Sequence, residues 1–235
     1  MSADGGARYV STPEVVGVTG AVVAVDVIRA FSTAAYAFGA GARAIYLVAG
    51  VDDALAFVAA HPGTVAMGEL GGRRPEGFAL SNSPALAAAA DLDGRLVVQR
   101  TSAGTQGVVA AGAADRLWAA SLVCASATAA AVSASGLGAP TYVITGRFDD
   151  RPDRPGADDV ATAEHIEAVR LGLDPDPAAV AQVVASSAEA ARTLTLPPGH
   201  VDPTDIELAT AVDRFAFAME VTRDALGLRL DRVLP

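Results

Sequence analysis

Lysine is missing from this sequence: all 17 basic residues are arginine. That removes Schiff-base chemistry, a Walker-type phosphate lysine and Ser–Lys nucleophile pairs. Any anion must be met by guanidinium forks, hydroxyls or backbone N–H groups. Cysteine is almost missing. The single Cys124 excludes an internal disulfide framework and a thiolate-rich zinc site, and its Ala/Ser-rich setting suits a buried structural thiol. Histidine is scarce, and His61, His165 and His200 have no partner at metal-ligand spacing. Aromatics make up 5% and charged residues 19%, against 51% hydrophobic, which fits packed helices on a sheet rather than a disordered chain.

What is present bounds the rest. A chain of 235 residues can form one large α/β unit over 1–235, or two small lobes, about 15–90 and 91–235, sharing a sheet. The net charge of −10 argues against a nucleic-acid partner, because phosphate backbones demand basic patches. A small anionic substrate is compatible with it if a few arginines and a divalent cation focus the local field. The start, MSADGGAR, lacks the basic n-region and apolar core of a signal peptide, so a cytoplasmic enzyme is expected. Residues 117–146 carry no charge, but their Ala, Ser, Thr and Gly content and Pro140 break them into strand, helix and strand. Buried core is expected there, with no membrane partner. Self-association into a homo-oligomer is left open.

The run AVVAVDV at 21–27 predicts a buried parallel strand ending in Asp26. Ser32 is the expected N-cap of a helix through Gly39, followed by strands at 44–48, 64–68, 95–100, 117–120 and 141–145. Helices are expected at 52–61, 105–111, 125–135, from Asp158 or Asp159 onward, 177–192 and 203–211, with a last strand at 215–221. Between them lie a long Gly/Pro-punctuated loop, ELGGRRPEGFALSNSP at 69–84, and a charged loop at 147–156. With an offset of 72 residues, the segment around 21–46 falls on that around 93–118, and Thr33 on Thr105. This echo is consistent with duplication of a βαβ unit, although such units share a pattern in any case. The expected fold is α/β, three layers (α/β/α), with a largely parallel or mixed sheet and ligands at the carboxyl ends of its strands.

Four stretches carry candidate chemistry. Asp26, at the end of a buried strand, suits a metal ligand or a nucleophilic or basic carboxylate. Arg29 beside it suits an anion contact, and Ser32 and Thr33 an oxyanion site. The bland alternative is an Asp–Arg pair that fixes the turn. The turn Arg100-Thr101-Ser102-Ala103-Gly104-Thr105 places hydroxyls and glycine before a helix, as a phosphate cradle would, though polar βα turns are common. In the long loop, Glu69 follows a strand, Arg73 and Arg74 could clamp a second anionic group, and Asn82-Ser83-Pro84 reads as a helix entry. Asp158 and Asp159 are metal-ligand candidates or simply a helix cap. Carboxylates without a His/Cys cluster point to Mg²⁺ rather than Zn²⁺.

The ordered set VAVDVIRAFSTAAYAFGAGARAIYLV, GELGGRRPEGFALSNSP, VVQRTSAGTQG and TDIELATAVDRFAF resembles the ComB-type 2-phosphosulfolactate phosphatases over about 20–220. The resemblance implies an α/β/α, Mg²⁺-dependent enzyme that converts 2-phospho-3-sulfolactate to sulfolactate, a step toward coenzyme M. Asp26 and Glu69, with Asp158 or Asp159, are then expected to hold Mg²⁺. Arg29 and Thr101–Thr105 are expected to bind phosphate, and Arg73, Arg74 or Arg100 the sulfonate or carboxylate. The chain departs from the family's pattern at Leu70, Ser81 and Ala103. A phosphatase for another small phosphorylated acid, or a non-catalytic anion sensor, are the alternatives.

Overall fold

The computed structural model describes residues 6–148, 150–151 and 153–234. Its ten strands form one sheet in the order β1-β8-β2-β7-β9-β10-β3-β6-β4-β5. The first block contains β1 (Arg8–Val10), β8 (Thr141–Ile144), β2 (Ala21–Val25) and β7 (Arg116–Ala120), all parallel. The second contains β3 (Ala44–Leu47), β6 (Leu96–Arg100), β4 (Val65–Gly68) and β5 (Leu80–Ser81), again parallel. A hairpin of β9 (Ala218–Asp224) and β10 (Gly227–Val233) sits between them and makes the three antiparallel ladders. The sheet is therefore mostly parallel. Strands from 15–90 and 91–235 interleave within it.

Three reversals in a row turn the second block head to tail against the first. In a flat sheet their carboxyl ends would lie on opposite edges. They meet nonetheless, because both blocks pack on the same two helices, α1 (Ala30–Gly39) and α4 (Gly104–Ala110). One core joins α1 and α4 to Val22 and Ala24 of β2, Ile45 and Leu47 of β3, and Val97 of β6. Alternate residues face outward. Val23, Val25 and Trp118 pack under α5 (Ala125–Ala134) and α6 (Ala157–Arg170), while Tyr46 and Val98 pack under α2 (Val51–Ala60). Period-two alternation of apolar residues on both faces is what a doubly covered parallel strand requires. The result is three layers, α/β/α.

The 72-residue echo now has a shape. The unit β2-α1-β3 crosses from the first block to the second, and β6-α4-β7 crosses back. Short α3 (Pro84–Ala88), α7 (Pro177–Ala185), α8 (Ala188–Thr193) and α9 (Asp205–Ala209) complete the described helices. The expected helix over 177–192 is two helices, because Ser187 leaves the helix to accept the Ala190 N–H at 3.1 Å and cap α8. The uncharged stretch 117–146 resolves into β7, a short 3₁₀ turn, α5 and β8. Among the described residues no helix is long and apolar enough to cross a membrane.

Candidate active site

The strand β2 ends one residue before Asp26, whose N–H still donates to the Ala120 carbonyl of β7 at 3.2 Å. The Asp26 side chain is 5% exposed. Its Oδ1 accepts the Ala30 N–H at 2.9 Å and so caps α1, and its Oδ2 accepts the Thr145 hydroxyl at 3.3 Å. That is why α1 begins at Ala30 and not after Ser32. The Ser32 hydroxyl instead donates to the Val27 carbonyl at 2.7 Å and shares a hydrogen bond with Ser121. Ser32 and Thr33 show no exposed surface and do not line the cleft beside Asp26. Burial, reinforced by the charges of Asp158, Glu69 and Glu189, pushes the Asp26 carboxyl up to about 7.

Asp158 and Asp159 lie in the first turn of α6 and not at its cap, which is Gly156 with φ 66°. Asp159 accepts the N–H groups of Val27 at 2.9 Å and Gly146 at 2.8 Å, tying the β2–α1 turn to the end of β8. Burial raises Asp158 to about 6, with the Glu189 charge adding to it. Asp159 also lies well above the ordinary range, through burial and then the charges of Asp158 and Asp26. Three acids thus share one desolvated corner.

The second block supplies the opposite wall. Gly68 closes β4 with φ 144°, and its α-carbon lies so near the Arg100 carbonyl that no side chain fits. The next residue, Glu69, is 7% exposed and accepts from the Ser102 N–H, the Ser102 hydroxyl and the Gly72 N–H. Arg100 braces the same turn, donating to the Glu69 carbonyl at 2.8 Å and the Ala49 carbonyl at 3.0 Å. Thr101 and Thr105 bond to each other and close the first turn of α4. Gly104 brings α4 against Asp26: a β-carbon there would stand 2.7 Å from the Ala30 β-carbon and 2.8 Å from Asp26 Oδ2.

Between these walls lies a cleft of about 410 Å³ whose lining includes Asp26, Arg29, Glu69, Asn82, Ser102 and Ala103. Arg29 is 4% exposed, and its Nη1 donates to Asp205 at 2.8 Å and to the His200 carbonyl at 3.0 Å. Ser83 does not line the cleft; its hydroxyl donates to Asp205 at 2.6 Å. Arg73 and Arg74 are exposed and stand outside the cleft, as does Arg100. The arginines that do line it alongside Arg29 are Arg151, Arg154 and Arg192. Glu189 holds two of them, receiving Arg154 Nη2 at 3.1 Å and Arg192 Nη2 at 2.8 Å. Sequence reasoning missed these arginines, Glu189 and Asp205. For Arg151 and Arg154 the signal was arginine density in RFDDRPDRPGADD, a segment without periodicity, and Asp205 stood unassigned within TDIELATAVDRFAF.

Against this geometry, the family model for 2-phosphosulpholactate phosphatase matches residues 9–195. The chain belongs to that family. A relative from Bacillus subtilis (strain 168), named a probable 2-phosphosulfolactate phosphatase, is 32% identical over 213 residues, 90% of this chain and 91% of its own. Relatives of the same name from Thermus thermophilus and Synechococcus match shorter spans. The first is 46% identical over 90 residues, covering 38% of this chain and 37% of the relative. The second is 37% identical over 115 residues, covering 48% and 47%. Membership of this family makes the chain a phosphoric monoester hydrolase, and the cleft beside Asp26 is its candidate active site.

Proposed function

We propose that the chain is an Mg²⁺-dependent phosphatase that hydrolyses the phosphomonoester of a small phosphorylated sulfo or hydroxy acid, 2-phospho-3-sulfolactate foremost. The observation that carries this reading is the meeting of a raised, buried carboxyl and four arginines in one small cleft. A substrate with phosphate, sulfonate and carboxylate groups needs several guanidinium partners, and the chain has no other long cation to offer.

An all-oxygen donor set fits Mg²⁺, which keeps several waters and binds through one or two carboxylates plus substrate phosphate. Among the described residues, no group of three or more His, Cys, Asp or Glu side chains is set to hold a metal ion by itself. Asp159 and Glu69 are engaged by N–H and hydroxyl donors. We assign the ion to Asp26, which lines the cleft, with Asp158, whose charge acts on it, as the second carboxylate; a bound cation would offset the burial and acid–acid repulsion that raise Asp26. When bound, Mg²⁺ supplies charge stabilisation at the phosphoryl oxygens.

The protein's own groups do the remaining work. Arg29, fixed by Asp205, presents a rigid positive charge to the phosphate. Glu69 shapes the Ser102–Ala103 turn that faces it. Arg151, Arg154 and Arg192 receive the sulfonate and carboxylate, in the place expected for Arg73, Arg74 or Arg100. Asp26, ionised when the ion is held beside it, orients the water that displaces the hydroxy acid from phosphorus. Phosphate release from 2-phospho-3-sulfolactate with Mg²⁺, and its loss in EDTA, is the expected result. Asp26→Asn should lower the rate at least about a hundredfold, the usual scale for an acid–base or ligand carboxylate. Full activity of that variant, or no release from any small phosphorylated acid, overturns the proposal.

A further inference from the structure

A second cavity of about 430 Å³ adjoins the cleft and shares Ser102, Ala103 and Phe148 with it. Thr12, Pro13, Gln106 and Thr145 form the rest of its wall, with Arg147 and Asp150 as charged members of opposite sign. Three of the polar side chains of this wall are already engaged by protein partners. The Thr145 hydroxyl donates to the Val25 carbonyl at 2.9 Å and to Asp26. The Gln106 amide donates to the carbonyls of Ala49 at 3.1 Å and Thr101 at 3.0 Å. The Ser102 hydroxyl is held between Glu69 and Gly71. The surface left facing the cavity is mostly apolar, contributed by residues such as Ala103, Pro13, Thr145 and Phe148, with Arg147 and Asp150 the charged exceptions. Polar groups already satisfied by protein neither attract a charged ligand nor resist an apolar one.

We infer that this cavity takes an apolar substituent of the substrate, so that the chain also accepts 2-phosphorylated hydroxy acids bearing an aryl or branched alkyl group at C3. The inference rests on the phosphatase reading of the adjoining cleft. Phosphate and carboxylate would lie among the arginines, and the substituent would cross the Ser102–Ala103 turn to lie against Phe148. That ring is already stacked under Arg154, whose guanidinium carbon lies 4.7 Å from its centroid. One residue therefore touches both halves of such a ligand. A sulfomethyl group is polar and leaves this space unfilled.

The test compares 2-phospholactate, 2-phospho-3-sulfolactate and 2-phospho-3-phenyllactate under saturating Mg²⁺. The phenyl compound should show kcat/KM roughly tenfold or more above phospholactate, as burial of an aromatic ring implies. Thr12 lies outside the catalytic cleft, and its side chain caps no helix. Thr12→Trp should fill the cavity and erase the phenyl gain while leaving phospholactate turnover unchanged. Calorimetric titration of the native protein with 3-phenyllactate and lactate gives a reading independent of turnover, and phenyllactate should bind at least about tenfold tighter. Equal kcat/KM for phenyl and methyl substrates, or a phenyl gain that survives Thr12→Trp, overturns the inference and leaves the phosphatase reading standing. If none of the three is hydrolysed, the phosphatase reading fails. Equal affinity for phenyllactate and lactate then overturns the cavity assignment too.

Discussion

Four donors converge on the two oxygens of Asp205: Arg29, the Ser83 hydroxyl, and the N–H groups of Ala85 and Asp202. With no exposed surface, this carboxylate binds Arg29, α3 and the approach to α9 into one cluster. Asp205→Ala should cost about 3–5 kcal/mol, because it strands a buried guanidinium, and urea denaturation will measure it. The acids on the other side of Arg29 predict a pH dependence. Folding lifts Asp26 from an ordinary value of 3.8 to about 7, and Asp158 to about 6. Between those limits the unfolded chain gives up protons that the folded one keeps, so stability falls as pH rises from about 4 toward 7. In EDTA the thermal midpoint should be lower at pH 8 than at pH 5, and Asp26→Asn should flatten the difference. At this scale the sequence was partly legible. Asp26 stood out because a charged residue closing an apolar strand demands a reason. Arg151, Arg154 and Arg192 did not, because an irregular charged loop and a short helix give no periodicity to show which way a side chain faces.

Among the elements, α4 makes the tightest demand. Its first residue, Gly104, lies against α1 and the Asp26 carboxyl with no room for a methyl group. Gly104→Ala should lower activity at least about tenfold while costing only about 1–3 kcal/mol in stability, the usual range for overpacking. Kinetics and melting curves on one preparation would separate the two effects. A stability loss without a rate loss would detach α4 from the site. Most strands and helices could be read from apolar runs and their punctuation. The hairpin could not. The expected strand at 215–221 lies at Ala218–Asp224, and its partner β10 was not expected. Leu228 and Leu230 do alternate with Arg229 and Asp231, but so short a half-polar pattern is a weak signal beside fully buried runs. Short β1 and β5 escaped for the same reason.

At the scale of the molecule, the crossings β2-α1-β3 and β6-α4-β7 split the first block, whose β1 and β2 precede and β7 and β8 follow the continuous stretch 44–100 that holds the second. Urea unfolding should therefore be a single transition. Fluorescence of Trp118, buried in the first block, should coincide with far-UV circular dichroism of the whole chain. An earlier Trp118 transition would show that the blocks separate. The interleaving also sets an order of assembly during synthesis. The strand bearing Asp26 leaves the ribosome early, but its neighbours β7 and β8 follow only after residue 115, and the aspartate that fixes Arg29 is residue 205. The hairpin that joins the two blocks comes later still. A nascent chain halted in mid-translation would carry Asp26 without the walls that residues 145 to 205 supply, so the cleft is completed only late in synthesis.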